Sequence, residues 1–304
     1  MRVHIEGMGL TGSMLATMLW RNEVDFTWHD THDKQVAWQA STGAIYPSGS
    51  TKFGPDEECR EVWAQWHAQD VFEGATEEAR YVYCTKGPPH GGTYAREQLE
   101  SGLWLAGPSA YHLNAQMLVP RTRERFAAGE VRPCDAPAHE DVDWYIVGHG
   151  WGRRLGHTYW GWTRLVTLDY DRSLYQRDGQ ELRPCFYFRE GRFIMAYAYP
   201  VPGTPYWYAG SSIIKQPILG RKSLTMEDKY ERWKANFERL GMGAVKVAEE
   251  ADFIEGWRPA VKPDDEAWLR RNGNVLVTRP LWNNGIRHFP KQWAGIASQL
   301  GLQP

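Results

Sequence analysis

Val3 and Ile5 alternate with polar neighbours and stop at Gly7, which predicts a short strand at the head of the chain. From Leu10 to Trp20 the period changes, and Met14, Leu15, Met18 and Leu19 recur at helical spacing. Asp25 to Asp30 (DFTWHD) reads as a second strand, so residues 1–30 predict strand, turn, helix, turn, strand, the unit a nucleotide-binding fold begins with. Residues 41–56 are rich in Gly, Ser and Pro and predict a long loop. A helix over about 57–69 with Val62 and Trp66 on one face, a strand at 80–85 (RYVYCT), a Gly/Pro loop at 87–92 and a helix over 114–127 follow.

DVDWYIVGHGWG (141–152) is a strand running into glycines. Between about 160 and 213 the pattern becomes aromatic with period two, in CFYF, RFIMAYAYPV and PYWYAGSS, broken by the turn signals Glu190-Gly191 and Pro202-Gly203. This predicts an antiparallel sheet. A charged helix at about 226–240, a strand NVLVT at 274–278 and a helix over about 290–300 complete the chain. The fold class expected is α/β: a Rossmann-like domain with a second lobe built on an antiparallel sheet.

Composition changes this picture little. With 304 residues two domains are expected. A net charge of −2 gives no reason to expect non-specific binding to nucleic acid or anionic membrane. Arg121, Arg123 and Arg125 therefore read as a solvated face of their helix rather than a nucleic-acid patch. The 16 Trp, 15 Tyr and 10 Phe serve bulky packing in the main, and can also wall a pocket. Cys59, Cys84, Cys134 and Cys185 have no zinc-like spacing, and read as reduced, mostly buried thiols; no metal is expected. Arg2 is followed at once by a strand, leaving no room for a signal peptide, and no apolar run approaches the roughly 18 residues of a membrane span. The expectation is a soluble, cytoplasmic protein with no membrane partner.

The first chemical signal is IEGMGLTGS. Gly7, Gly9 and Gly12 form G-x-G-x-x-G between the strand and the helix. The first glycine suits a tight turn, the second lets a diphosphate approach bare backbone, and the third lets helix pack close to strand. The helix N-terminus offers unpaired N–H groups and the positive end of its dipole. Asp30, ending the second strand, suits the two hydroxyls of an adenosine ribose and would repel a 2′-phosphate.

Three more segments bear on which dinucleotide is held. DWYIVGHGWGRRL resembles the "D-x-V-V-x-A-x-G-x-W" strand that returns under a flavin, FIEGWRPAVKPD resembles "G-x-R-P-x-x-x-D", and LWNNGIRHFPKQWAGIASQL resembles the closing "N-G-I" loop and helix. With Gly7, Gly9, Gly12 and Asp30, they resemble the D-amino-acid-oxidase superfamily of FAD enzymes, in its glycine-oxidase-like branch. The resemblance touches both ends and the middle of the chain, and is only of general style over 160–250. It implies FAD, in a discontinuous domain of 1–54, 107–158 and 251–304, and a substrate domain of 55–106 and 159–250.

On matching positions, the resemblance implies that the glycine loop with Leu10 and Thr11, and Asp30 with Thr31, hold the diphosphate and adenosine. It sets Val131 near the adenine, and Thr42, Gly43, Ala44 and Ile45 beside the isoalloxazine, with Gly148, Gly150 and Trp151 on the return strand. Asn284, Gly285, Ile286 and Arg287 pass under the pyrimidine end, where amides ahead of the last helix ease the charge of the reduced ring.

The implied reaction is hydride transfer to flavin N5 from a carbon bearing an amine, with dioxygen as the expected electron acceptor. Arg258, also counted near the flavin, matches the arginine that faces the substrate carboxylate; its alternative is a structural pairing with Asp264 or Asp265. The family's second arginine, just before "N-G-I", is here Asn283. A charged hydrogen bond is worth about 1.5–3 kcal/mol, so its loss weakens carboxylate binding by roughly 10- to 100-fold unless Arg287 or His288 replaces it.

Tyr46, Tyr197 and Tyr199 either line the pocket or pack a sheet face. His112 and His149 read as structural. The expected substrate is a small or carrier-tethered amine or amino acid. The alternative is a flavin-dependent lyase or decarboxylating enzyme on a tethered amino acid, such as a glycyl-modified nucleobase in phage DNA, with nucleic acid only as the substrate's carrier. A flavin monooxygenase fits the GWRP and NNGI segments less well.

Overall fold

The computed structural model describes residues 1–30, 38–39, 43–45, 57–84, 96–98, 104–148, 158–177, 180–181, 184–190, 193–201, 204–210, 214–215, 225–238, 246–249, 251–259, 269–278, 286 and 288–303. Its first elements are β1 (Val3–Glu6), α1 (Leu10–Arg21), β2 (Phe26–His29) and β3 (Ala44–Ile45). Next come α2 (Glu57–Ala68), β4 (Thr76–Cys84), β5 (Arg96–Gln98), β6 (Trp104–Leu113), α3 (Ala115–Arg125) and β7 (Trp144–Val147). The middle holds β8 (Thr158–Thr167), β9 (Gln176–Arg177), β10 (Gln180–Glu181), β11 (Pro184–Glu190), β12 (Phe193–Pro200), β13 (Trp207–Gly210) and β14 (Ile214–Lys215). The chain closes with α4 (Met226–Glu238), β15 (Lys246–Val247), β16 (Ile254–Pro259), β17 (Leu269–Asn272), β18 (Val275–Thr278) and α5 (Phe289–Leu300).

Two large sheets organise most of these elements, and β9 and β10 pair by themselves as a third, two-stranded one. The first has the order β17-β18-β7-β1-β2, parallel throughout except for the antiparallel edge strand β17. The apolar face of β1, Val3 and Ile5, meets Met14, Leu15 and Leu19 of α1 and Trp293, Ile296 and Leu300 of α5 in one buried cluster. The α2 helix joins the same cluster through Trp63 and Trp66, the latter against Phe289 at 5.9 Å. The other face of β1 is polar, with His4 buried and Glu6 half-buried. His4 bonds Thr27 Oγ1 and His29 Nδ1, each at 2.7 Å, and both histidines are buried.

The second sheet runs β14-β8-β13-β12-β11-β4-β6-β3, with β15 and β16 also pairing β8 and β5 pairing β6. It is antiparallel except where β4 and β11 run parallel. Its core lies under α4: Trp162, Val166, Phe186, Ala198, Trp207 and Ala209 pack against Tyr230, Trp233 and Phe237. Because residues on a strand alternate faces, Tyr197, Tyr199, Tyr208 and Gly210 lie on the side away from α4. Of the 16 Trp, five (Trp28, Trp63, Trp162, Trp233 and Trp293) are among the largest fully buried side chains, so aromatic packing is a main use of that composition.

One local expectation needs correction. The segment 41–56 is not loop throughout, since Ala44–Ile45 pairs with Tyr111 and His112 of β6; residues 46–56 lie outside the described ones. Cys134 is exposed, whereas Cys59 is buried. No helix among the described residues is long and apolar enough to cross a membrane.

Candidate functional site

The parallel sheet and the glycine loop build the first half of the site. Gly7 takes φ 91°, a conformation that favours glycine, and its N–H donates to His29 O at 2.7 Å. Gly148 N–H donates to Glu6 O at 2.8 Å, so the loop is fixed between the ends of β2 and β7. A Cβ at Gly12 would run into the Gly7 carbonyl, and one at Gly148 would lie 3.3 Å from Gly12 Cα and from Gly7 O. Three glycines thus let the first turn of α1 sit directly on the strand ends.

Gly9 is the N-cap of α1 and supplies no side-chain cap, and no acid stands in the first turn. The first amides of this helix, from half-buried Leu10 and Thr11 onward, therefore meet no capping side chain. The Ser13 hydroxyl is buried and has no hydrogen-bond partner among the described residues; the same holds for the Trp38 indole N–H. Trp38 Cδ1 lies 3.5 Å from where a Cβ of Gly9 would stand. Unpaired donors around bare backbone suit an anionic, acceptor-rich ligand such as a diphosphate.

Asp30 is buried, and its Oδ2 accepts from Arg123 Nη2. Arg123 Nε also donates to Met8 O at 3.0 Å, and its guanidinium lies 5.8 Å from the Trp38 ring centroid. The arginines of α3 are therefore not simply a solvated face. Arg121 donates to Glu73 O and Arg125 Nη1 to Glu73 Oε1 at 2.6 Å, while Arg123 points to the glycine loop. Helical geometry gives the reason: positions 121 and 125 share a face and 123 does not. Asn114 orients this helix by capping Met117 N–H at 3.1 Å. Val131 is half-buried, its N–H donating to Trp28 O at 2.6 Å beside the end of β2.

The second half comes from the large sheet. Gly43, at φ 63°, accepts from Leu113 N–H at 2.9 Å, and Ile45 is buried on the first core. Ala44 is paired with His112, which is buried, lies 3.8 Å from Glu77 and faces the Tyr199 ring at 6.3 Å. Tyr199 is buried and Tyr197 half-buried, their rings 5.0 Å apart. The Tyr197 ring fills the space a Cβ on Gly210 would need. Burial pushes the neighbouring Tyr208 phenol up to about 12, so it stays neutral at ordinary pH.

Register extends this face. Gly210 is paired with Thr163, Thr163 with Ile254, Gly161 with Gly256, and Tyr159 with Arg258. Directly paired residues share a face, so the positions of Arg258, Gly256, Gly161 and Gly210 fall on the side of Tyr197 and Tyr199. Three of the sequence-derived residues thus come to one sheet face, with three glycines between them.

At the chain's end Ile286 is half-buried against the first core and accepts from Phe289 N–H at 3.0 Å. His288 is buried and is the N-cap of α5, with no side-chain cap of its own. Thr31, Thr42, Tyr46, His149, Gly150, Trp151, Asn283, Asn284, Gly285 and Arg287 lie outside the described residues. Sequence reasoning missed Trp38 and the role of Arg123. For Arg123 the alternating spacing was a usable signal; for Trp38 there was none. Among the described residues no cluster of His, Cys, Asp or Glu could hold a metal ion.

No protein-family model and no curated protein sequence matches the chain. Solved structures do. Glycine oxidase from Bacillus cereus ATCC 14579 superposes with a TM-score of 0.69 at 14% identity, over 99% of this chain and 94% of that one. Iminodiacetate oxidase from Chelativorans sp. BNC1 gives 0.65 at 15%, over 99% and 96%. The FAD-bound L-alpha-glycerophosphate oxidase from Mycoplasma pneumoniae gives 0.61 at 10%, over 99% and 95%. At such identities the likeness is one of fold, and that fold spans nearly the whole of each chain.

Proposed function

We propose that this chain is an FAD-dependent oxidoreductase that oxidises the C–N bond of an amine or amino-acid-like substrate by hydride transfer to flavin N5. The observation that carries this reading is the cradle at the head of the chain. Gly7, Gly12 and Gly148 seat an uncapped helix N-terminus on the strand ends, with Asp30 beside it, in a fold shared with an oxidase solved with FAD bound. The residues present fit the cofactor. The amides of Leu10, Thr11 and Gly12 and the Trp38 indole would take the diphosphate, Asp30 and Val131 the adenosine, and Gly43, Ala44, Ile45 and Ile286 the ring end.

When bound, FAD supplies the two-electron acceptor for a hydride from the carbon next to nitrogen. The chain's own task is placement and exclusion of water. Arg258 would pair the substrate carboxylate, and Tyr197 and Tyr199 would hold the substrate over the glycine-floored face. Their hydroxyls can donate or accept hydrogen bonds there. No acid or base is required of the protein if the amine arrives uncharged. Dioxygen is the acceptor in this reading and the cytoplasm its location; of the domain ranges expected above, α2 is reassigned to the cofactor-binding domain, because Trp63 and Trp66 share its core.

Asn283, standing where a second arginine is expected, favours a second reading: a lyase or decarboxylating enzyme on an amino acid tethered to a larger carrier. One experiment addresses both. Purified protein should be yellow, with the absorbance bands of oxidised flavin, and should be assayed for peroxide on a panel of free and tethered amines and amino acids. Turnover of a free amine or amino acid supports the oxidase; silence there with product from a tethered one supports the lyase. Colourless protein that takes up no added FAD refutes both.

A further inference from the structure

The structure gives Arg123 a task that neither its helix nor the glycine motif accounts for. It is half-buried and reaches from α3 to two parts of the cradle at once: Nη2 to the Asp30 carboxylate and Nε to the Met8 carbonyl inside the glycine loop. Its remaining nitrogen, Nη1, has no hydrogen-bond partner among the described residues, and the Trp38 ring lies 5.8 Å from the guanidinium carbon. The residue after Trp38 is tied to the same helix, since Gln116 Nε2 donates to Gln39 O at 3.0 Å. Trp38 in turn stands against Gly9, with its indole N–H buried and without a hydrogen-bond partner among the described residues.

Accordingly, we propose that Arg123 is the positioning residue for the adenosine-diphosphate half of the dinucleotide. It presets Asp30 for the ribose, and it places a permanent positive charge beside the diphosphate under the Trp38 indole. This deepens the flavin reading and rests on it. The chemistry follows from charge. An acid beside a glycine loop attracts the ribose hydroxyls but repels the two negative charges of a diphosphate. A guanidinium bound to that acid cancels the repulsion and keeps free N–H groups for the ligand. Bonding to Met8 O also couples loop shape to the acid, so the two halves of the cradle are set together. An arginine suits this where a lysine does not, because three directions (carboxylate, carbonyl, ligand) need a rigid fork.

The test is binding, read without turnover. Apoprotein is titrated with FAD and with ADP by calorimetry and by quenching of flavin fluorescence, at low and high salt, for wild type, R123M, R123K and D30N. Expected for R123M is a loss of about 10- to 100-fold in affinity for ADP and FAD alike, from one charged hydrogen bond and the exposed repulsion of Asp30. Its salt dependence should also flatten, because one cation facing the phosphates is gone. R123K should keep the salt dependence and recover only part of the affinity. In the R123M background, D30N should regain some ADP affinity.

R123M that folds with wild-type circular dichroism and binds ADP with wild-type affinity and salt dependence overturns the inference while leaving the flavin reading intact. A lower melting temperature with unchanged ADP binding also overturns it, since that is the mark of a merely structural arginine. Should R123M fail to fold, R123K alone decides through its affinity. Wild-type protein that binds neither FAD nor ADP overturns the flavin reading and this inference together.

Discussion

His4 gives the folded chain a specific sensitivity to acid. It sits on the polar face of β1, fully buried, with Thr27 on one nitrogen and His29 on the other at 2.7 Å. Glu6 and Tyr145 flank it, and His139 lies against Tyr145 at 4.3 Å. In the His4–His29 contact one ring must donate and the other accept, so both rings cannot be doubly protonated without breaking it. Burial first, then the charge of His29, hold His4 down to about 4 from its ordinary 6.5, against a smaller upward pull from Glu6.

The unfolded chain therefore takes up a proton near pH 6.5 that the folded chain refuses until about pH 4. This stability is fully present above pH 6.5 and falls by about 1.4 kcal/mol per pH unit as the pH drops, the loss amounting to about 3 kcal/mol near pH 4. Urea unfolding followed by tryptophan fluorescence at a series of pH values, for wild type and His4→Gln, isolates the effect from the other titrating groups. The difference between the two curves should change by about 3 kcal/mol across that window and be flat above it. A difference that stays constant from pH 7 to pH 4 would show that His4 titrates alike in both states, and the argument from burial would fail.

Other substitutions probe other parts of the frame. Gly12→Ala places a Cβ 2.9 Å from the Gly7 carbonyl carbon and nearer still to its oxygen, so α1 must back away from the strand ends. A loss of about 1–3 kcal/mol in urea melts and failed reconstitution with FAD are expected, and wild-type values for both would refute the close-approach argument. Asn114→Ala removes the acceptor for Met117 N–H and should cost about 1 kcal/mol, seen as a lower unfolding midpoint; no change would mean the cap is replaced by solvent. Gly210→Ala drives a methyl into the Tyr197 ring. It should leave the flavin spectrum unchanged and lower kcat/KM on the order of 10- to 100-fold, and unaltered kinetics would remove Tyr197 from the substrate face.

How far the sequence could be read depended on whether the information was local. The strand-glycine-helix start was legible because period and glycine spacing sit within residues 3–21, and the helix and strands form there. The antiparallel lobe was legible through its period-two aromatic strands, β11, β12 and β13. Strand β3 was not, because two residues in a Gly/Ser-rich stretch carry no period, and their pairing with β6 is made by residues far along the chain. The short buried stretch carrying His4 and His29 was readable as strand, but their mutual bond depends on the parallel register of β1 and β2. Arg123 was misread because charge clusters were judged by composition rather than by helical angle.

The proposed substrate face poses the harder case, because its residues come from four separate strands and share a side only through register. Strand β8 is the hub, pairing β13, β14, β15 and β16. A slip of one residue would turn the position of Arg258 from the tyrosine face to the α4 face. What prevents it is on the other side of the sheet. Trp162 and Val166 alternate with Thr163 and Leu165, and both are locked under α4 with Trp233 and Phe237. Trp233 also donates its indole N–H to Tyr197 O at 2.9 Å, tying α4 to the strand that presents the tyrosines. Apolar packing on one face thus sets the polar layout of the other, which is why a core with no chemistry of its own determines whether Arg258 and Tyr197 stand together.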